Sequence, residues 1–250
     1  MIRLATDVKV PKVLPPMALA IESSGDSGGA ALFIPGEMTT EVLLDEPRSH
    51  GRMLVPAIAS VLSKAQCKRE DIKVILVNCG PGSYAGLRVG VSAAQTLGLA
   101  LDVPVLGVPC LEAMCEEAIA QALVMRHSTL IPALDARQGE VLAAAFRFGP
   151  GPNGGVLTRL TPDRVLPPQN LKELAPDGLI FGEGARAYRE QFPAGLDVHE
   201  GQVSLRPGCV ALAAQRLWPE KLANPASIER RQVAINYFRP VLAKTVAERQ

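Results

Sequence analysis

Aromatic residues and histidines are scarce in this 250-residue chain, at 4% aromatic side chains and three histidines. His50, His127 and His199 share no helical i, i+3 or i+4 spacing, so the sequence has no His-x-x-x-His metal pair. The five cysteines form no Cys-x-x-Cys pair. This pattern argues against a zinc knuckle or a disulfide framework and favours reduced thiols in a cytoplasmic protein.

Excess charge and long apolar runs are also missing. The formal net charge is +1, so the chain as a whole does not attract nucleic acid or an anionic membrane, and any RNA contact must be local or indirect. No apolar run has the length of a membrane span. Residues 1–16 form a basic leader without the apolar segment of a signal peptide; we expect it to be disordered, with Met17 an alternative start to Met1.

Two similar runs of strands and helices make up the rest of the chain, and an acidic residue, Glu22 or Asp135, closes the first strand of each. Hydrophobic periodicity predicts the order βββαβαβ for the first run, with strands at 17–21, 30–34, 39–44, 72–77 and 104–108 and helices at 52–64 and 83–101. The second run begins with strands at 130–134, 141–148 and 156–160, followed by a helix at 169–174 and a strand at 179–181.

This duplication predicts an α/β protein with a two-lobed actin-like/ribonuclease H-like (ASKHA) fold. We expect an N-terminal lobe at 17–107, a C-terminal lobe at 108–206, and a helix from about 207–240 that packs back on the first lobe. Proteins of this architecture bind nucleotide between their lobes, although function has to be argued from the site. A degenerate nucleotide site would involve Glu22, Ser23, Asp135, Gly182 and Gly184, but turn formation explains the same residues.

The glycine-rich segment 78–90 follows a predicted strand and opens a predicted helix, as phosphate-binding loops do. A Walker loop is excluded, because Leu87 and Arg88 stand where it requires lysine and serine or threonine. Residues 80–85 fit the looser dinucleotide pattern, but Pro109 and Cys110 stand where the ribose-binding acid belongs. Ser83 as a helix cap between glycines of a tight turn is the simpler interpretation.

Small residues recur at every fourth position along the helix that follows, at Gly82, Gly86, Gly90, Ala94 and Gly98. Such spacing places them on one face, and each glycine inside a helix costs about 1 kcal/mol relative to alanine. A backbone from this chain or from another must therefore approach the stripe closely. The apolar stripe on the preceding helix, which includes Leu54 and Ile58, is either core or interface.

Segment 79–90 has the sequence Cys-Gly-Pro-Gly-Ser-Tyr-Ala-Gly-Leu-Arg-Val-Gly. It resembles a signature of the bacterial TsaB (YeaZ) family of tRNA threonylcarbamoyladenosine biosynthesis proteins, which is Arg-Gly-Pro-Gly-Ser-Tyr/Phe-Thr-Gly-Leu/Val-Arg-Ile-Gly. The resemblance extends from about Met17 to Arg239, with supporting matches at 134–141 and 237–239. Three positions depart from the family: Glu22-Ser23-Ser24 replaces Asp-Thr-Ser, His50-Gly51-Arg52 replaces His-Ser-Glu, and Cys79 replaces arginine.

The resemblance implies a non-catalytic subunit that binds and activates a catalytic, TsaD-like paralogue, which carries the His-x-x-x-His pair and modifies the adenosine next to the tRNA anticodon. A small TsaE-like ATPase joins the pair, and the free subunit forms a homodimer. No cofactor is assigned to this chain itself, with ATP or ADP at a subunit interface as an open option. The predicted partner interface comprises His50, Leu54, Ile58, Ser83, Tyr84, Gly86, Arg88, Gly90 and Ala94. The alternatives are a stand-alone actin-fold ATPase and a homodimeric protein without a role in modification.

Overall fold

The computed structural model of the protein describes residues 16–25, 27–35, 37–44, 50–151 and 154–238. The leader predicted at 1–16 lies outside these residues except for Pro16, and the side chain of His50 lies outside them as well. Among the helices in these ranges, none combines the length and apolarity that crossing a membrane requires.

The described residues form twelve strands and six α-helices, with short 3-10 helices between some of them. The strands are β1 (Met17–Glu22), β2 (Gly28–Ile34), β3 (Glu37–Leu44), β4 (Ile72–Gly80), β5 (Val105–Pro109), β6 (Thr129–Arg137), β7 (Glu140–Ala143), β8 (Phe146–Gly149), β9 (Val156–Arg159), β10 (Arg164–Leu166), β11 (Leu179–Phe181) and β12 (Asp197–Val198). The α-helices are α1 (His50–Lys64), α2 (Tyr84–Leu101), α3 (Cys110–Ala120), α4 (Glu183–Ala187), α5 (Pro207–Leu217) and α6 (Pro219–Ala223).

The first sheet has the strand order β3-β2-β1-β4-β5, with antiparallel pairing from β3 to β1 and parallel pairing from β1 to β5. Successive side chains of a strand point to opposite faces, so the buried strand β1 supplies two cores. Ala18 and Ala20 pack with residues of α3 and α5, whereas Leu19 and Ile21 pack with residues of α1 and α2. Helices therefore cover both faces of the sheet, as its parallel strands require.

The second sheet repeats this plan in the order β10-β7-β6-β11-β12, again antiparallel up to β6 and parallel beyond it. The predicted duplication of the α/β unit is thereby confirmed. Strands β8 and β9 are an addition that pairs with β6 outside this order. The helices between strands are shorter than in the first unit, since a 3-10 helix (Pro168–Glu173) and α4 take the places of α1 and α2.

Three local features of the second unit differ from the prediction. The strand predicted at 141–148 is divided at Ala144 and Ala145, and the Ala145 amide donates to the Thr161 hydroxyl at 2.8 Å. The segment at 169–174 is a 3-10 helix and not an α-helix. Strand β10 was not predicted, because three residues are too few to show a period.

Helix α3 was also missed by the sequence interpretation. It runs between the two sheets and contacts β4, β5, β6 and α5. Almost all of its residues are buried, so it shows no amphipathic alternation of apolar and polar residues. Three of its buried residues are glutamates, which further conceal its apolar character in the sequence.

The C-terminal helix is shorter than predicted. Helix α5 contacts β1 and β2 on the first sheet, but it ends at Leu217, and α6 ends at Ala223. Residues 229–238 are not helical, so the prediction of one helix over 207–240 is wrong for this part. Pro219 and Pro225 interrupt the helical segments because proline cannot continue a helix. The lobe boundaries at 107 and 206 stay predictions.

Each glutamate of α3 is paired with an arginine from another part of the fold. The side chains of the glutamates are between 3% and 11% exposed. The pairs are Glu112 with Arg159 of β9, Glu116 with Arg216 of α5, and Glu117 with Arg206, the residue before α5. Arg206 also contacts Glu41 of β3 at 3.4 Å. These pairs connect α3 to both sheets.

The unfolding free energy is expected to decrease in acid through Glu117. Burial raises the pKa of this carboxyl, but hydrogen bonds from Gln121, Cys209 and Arg206 and the charge of Arg206 outweigh burial, so the net pKa lies below its ordinary value. A depressed folded-state pKa contributes stability that is complete above the unfolded-state pKa and is lost as the pH falls through the folded-state pKa. Urea unfolding across the acidic range should show a smaller decrease for Glu117→Gln than for the unmodified protein.

The control for this measurement is Glu190→Gln, a change at an exposed side chain. This variant should keep the acid dependence of the unmodified protein. If Glu117→Gln and Glu190→Gln show the same pH dependence, Glu117 does not contribute to acid sensitivity.

Candidate functional site

The loop between β4 and α2 has the geometry of a tight turn into a helix. Gly80 has a φ of +107°, and a Cβ at this position would lie 2.7 Å from the Asn236 carbonyl oxygen. Ser83 is the N-cap of α2, and its hydroxyl accepts a hydrogen bond from the Gly86 amide at 3.4 Å. This loop therefore has the capped-turn structure that was the simpler interpretation of its glycines.

The small residues of α2 face a segment of the same chain. A Cβ on Gly82 would lie 2.6 Å from the Ser24 hydroxyl, and one on Gly86 would collide with the Ser23 carbonyl oxygen and lie 2.8 Å from the Ser24 Cα. At Gly90, an added Cβ would collide with the Ser23 hydroxyl, which itself donates to the Gly86 carbonyl at 2.8 Å. The backbone that approaches the stripe is thus the chain's own β1–β2 turn.

The nine residues predicted to contact a partner separate into buried and accessible positions. The buried ones are Leu54 (1% exposed), Ile58 (6%), Ala94 (0%) and Gly90. The prediction is wrong for these four, because their own chain already covers them. The remaining described positions are Ser83, Tyr84 and Arg88, which are exposed, and Gly86, which is half-buried. For these, and for His50, partner contact stays a prediction.

Helices α1 and α2 also expose residues that sequence reasoning missed. We define the α1–α2 outer face by exposed residues at helical spacing: Arg52, Val55, Ala59 and Ser63 on α1, and Ala85, Arg88, Ser92, Thr96 and Leu99 on α2. Val55 is 67% exposed and Leu99 is 86% exposed. The signal in the sequence was Val55 itself, an apolar residue that lies off the buried stripe of its amphipathic helix.

An aromatic pair joins the beginning of α2 to the C-terminal strap, which we define as residues 229–238. The rings of Tyr84 and Tyr237 lie 5.0 Å apart between centroids, and Arg88 donates to the Tyr84 hydroxyl at 2.8 Å. The Asn236 amide donates to the Cys79 carbonyl at 2.8 Å, which holds the strap on β4. Tyr237 is 43% exposed and extends the accessible surface around Tyr84.

Glu22 lies at the end of β1 and is fully buried. One carboxylate oxygen accepts from the Ser24 amide at 2.5 Å, the Ser24 hydroxyl at 3.0 Å and the Gly25 amide at 2.8 Å. The other accepts from the side-chain amide of Asn78 at 2.7 Å. Burial raises the pKa of Glu22, and the hydrogen bonds from Gly25, Asn78 and Ser24 offset this effect only in part.

Asp135 occupies the corresponding position in the second unit, near the end of β6. Its carboxylate accepts from the backbone amide of Arg137 at 2.8 Å and from the guanidinium of Arg137 at 2.8 Å. The hydroxyl of Tyr188 donates to it at 2.7 Å. Asp135 therefore closes the β6–β7 hairpin and anchors the chain after α4, which are structural contacts.

A cleft of about 40 Å³ separates the two units. A Cβ on Gly182 would lie 2.6 Å from the Ala133 carbonyl oxygen, and one on Gly184 would lie 2.7 Å from the Leu134 carbonyl oxygen, so both glycines allow α4 to approach β6. Small-molecule sites usually have volumes of roughly 300 Å³ or more, so the cleft is small for such a ligand. The cleft is lined by Ser24, Gly25, Gly82, Cys110, Glu183 and Arg186, among others.

Duplicated sheets flanking a cleft, with an acid at the end of the first strand of each, define a two-lobed protein of the ASKHA-like class. The family model "TsaD: tRNA N6-adenosine threonylcarbamoyltransferase" matches residues 45–178, more than half of the chain. The solved structure "YeaZ from Pseudomonas aeruginosa" superposes with a TM-score of 0.73 and 23% sequence identity, over 88% of this chain and 99% of that one. The predicted fold class is confirmed.

Curated relatives specify the family further. The Escherichia coli protein "tRNA threonylcarbamoyladenosine biosynthesis protein TsaB" is 27% identical over 89% of this chain and 92% of its own length. The Bacillus subtilis protein of the same name is 31% identical over 58% of this chain, and the match spans 60% of that relative. The chain belongs to the TsaD-type family and, within it, to the TsaB (YeaZ) group, which confirms the resemblance found in the sequence.

Proposed function

We propose that this protein takes part in the biosynthesis of tRNA threonylcarbamoyladenosine as a non-catalytic subunit that binds and activates a TsaD-like catalytic paralogue. The observation that carries the proposal is the similarity to the Escherichia coli relative named TsaB along 89% of the chain, together with a sequence that has no His-x-x-x-His pair. On this proposal a TsaE-like ATPase joins the complex, tRNA is contacted through the catalytic subunit, and the protein acts in the cytoplasm.

The α1–α2 outer face supports a docking role for these two helices. Its residues are small or apolar apart from Arg52 and Arg88, so a partner's helices can approach closely and bury Val55. Tyrosine and arginine contribute disproportionately to protein interfaces, and Tyr84 and Arg88 stand at one end of this face. We therefore place the contact with the catalytic paralogue, and the homodimer contact of the free subunit, on this face.

Val55→Asp is expected to weaken binding of the TsaD-like subunit by about tenfold or more, because a buried apolar contact becomes an unpaired charge. Folding should be unaffected, since Val55 is 67% exposed in the free chain. A pull-down or calorimetric titration with the purified TsaD-like subunit measures the loss. The control is Met125→Asp in the second unit, where the side chain is 82% exposed. Equal binding by both variants would rule out the α1–α2 outer face as the docking site.

Reconstitution tests the function itself. Modification of tRNA by the TsaD-like and TsaE-like subunits should require this chain, and the isolated chain should not hydrolyse ATP. Unchanged modification without the chain would reject the proposal and leave a homodimeric protein without a modification role. ATP hydrolysis by the isolated chain that is lost in Glu22 and Asp135 variants would instead indicate a stand-alone ATPase.

A further inference from the structure

The β1–β2 turn has the donors of an anion site. The backbone amides of Ser24 and Gly25, the Ser24 hydroxyl and the side-chain amide of Asn78 converge at the end of β1, and Ser24 and Gly25 line the cleft between the two units. Turns of successive backbone N–H groups commonly bind phosphate.

In this chain, however, all of these donors are directed at a side chain of the chain itself. We propose that the carboxylate of Glu22 is a built-in anion, which takes the place of a ligand's phosphate and closes the site between the lobes to nucleotide. The inference is independent of the proposed subunit role, because it concerns the cleft and not the α1–α2 outer face.

The polarity of the hydrogen bonds supports this assignment. The Ser24 and Gly25 amides and the NH2 group of the Asn78 side chain can only donate, and the Ser24 hydroxyl already accepts a bond from that NH2 group at 2.8 Å. An acceptor with two oxygens, such as an ionised carboxylate, satisfies all of them. Any external anion would have to displace a group that belongs to the chain and loses little entropy on binding.

The hydrogen bonds around Glu22 also extend to the glycine-rich loop between β4 and α2. The side-chain oxygen of Asn78 accepts from the Gly80 amide at 2.8 Å, so the β4–α2 loop is connected to the β1–β2 turn through Glu22. The Ser83 amide donates to the Ser24 carbonyl at 3.4 Å, which adds a direct link between the two loops. Both loops that could hold phosphate are thus joined to each other around one internal carboxylate. The cleft's volume of about 40 Å³ is consistent with this closure.

Chemical rescue tests the proposal. Glu22→Ala removes the carboxylate and leaves buried donors without acceptors, so its melting temperature should fall. Formate or inorganic phosphate should then raise the melting temperature by several degrees in a saturable manner, while chloride at equal ionic strength should not. Glu22→Gln fills the same volume without charge and should be destabilised yet unresponsive to formate. The matched control is Leu19→Ala, which creates a cavity in the same strand without removing an acceptor and should not respond to formate.

The proposal is overturned if formate and phosphate stabilise Glu22→Ala no more than Leu19→Ala. Should Glu22→Ala fold poorly, the yield of refolding from denaturant in formate, compared with that in chloride, gives the same comparison. A titration of the unmodified protein tests the proposal without relying on either the melting or the refolding of the variants. Titration with inorganic phosphate and with magnesium-ATP should leave the amide resonances of Ser24 and Gly25 unmoved, and saturable shifts of these two resonances would show that the site is open.

Discussion

Gly86→Ala is expected to lower the free energy of unfolding by about 3 kcal/mol or more, the upper range for overpacking of a tight contact. The added methyl group would collide with the Ser23 carbonyl oxygen and would lie 2.8 Å from the Ser24 Cα. Both atoms belong to backbone, so a side-chain rotation cannot relieve the clash. The β1–β2 turn would have to move, and this would strain the hydrogen bonds around Glu22. Urea or thermal unfolding of the purified variant measures the effect.

The control is Gly51→Ala in the first turn of α1. Among the residues that the structure describes, a Cβ at this position would meet only the Val89 side chain, at an ordinary contact distance of 3.9 Å. Alanine favours a helix over glycine by up to about 1 kcal/mol, so this variant should be neutral or more stable. If Gly86→Ala proves as stable as Gly51→Ala, the packing of α2 on the β1–β2 turn is not as close as the structure shows. A bulky replacement at Gly90 would also disturb folding, because an added Cβ there would collide with the Ser23 hydroxyl. Such a variant therefore cannot test an interface.

Arg216→Ala is expected to cost about 3–5 kcal/mol of unfolding free energy, because breaking a buried ion pair leaves the remaining charge uncompensated. The side chain of Glu116 is 3% exposed, and Arg216 binds its two oxygens through Nε at 2.5 Å and Nη2 at 3.0 Å. Arg216 also donates to the Gly155 carbonyl and lies over the Phe148 ring. Removing it therefore leaves a buried carboxylate and a carbonyl without their donor.

Two further variants separate the ion pair from general damage. Arg189→Ala removes a pair with Glu200 whose side chains are 48% and 70% exposed, and such surface pairs contribute about 1 kcal/mol or less. The double variant Glu116→Met with Arg216→Met should recover most of the lost stability, since apolar residues of similar size can replace a buried pair. A loss for Arg216→Ala no greater than for Arg189→Ala would mean that Glu116 is not buried in solution.

Much of the first unit could be predicted because its elements are long and regularly patterned. Strand β1 is a continuous apolar run, helix α1 has an amphipathic period, helix α2 has a four-residue period of small residues, and the acid at the end of the first strand in each unit indicated the duplication. Helix α3 could not be predicted, since it is buried on nearly every side and its glutamates are neutralised by arginines distant in sequence, such as Arg206 and Arg216. Burial and pairing of this kind exist only once the chain has folded.

The glycine spacing of α2 separates in the same way what the sequence determined at the candidate site from what only the folded chain determined. From the sequence alone, the four-residue period established that a backbone must approach one face of this helix, and the motif at 79–90 established the family resemblance. Only the tertiary structure decided that this backbone is the chain's own β1–β2 turn, because a helical period specifies a face but not its partner. It also decided that Leu54 and Ile58 are core and that Val55 is surface. The hydrogen bonds of Glu22 could likewise be seen only in the tertiary structure. One of the four comes from Asn78, which is distant in sequence and is brought beside Glu22 by the pairing of β1 with β4.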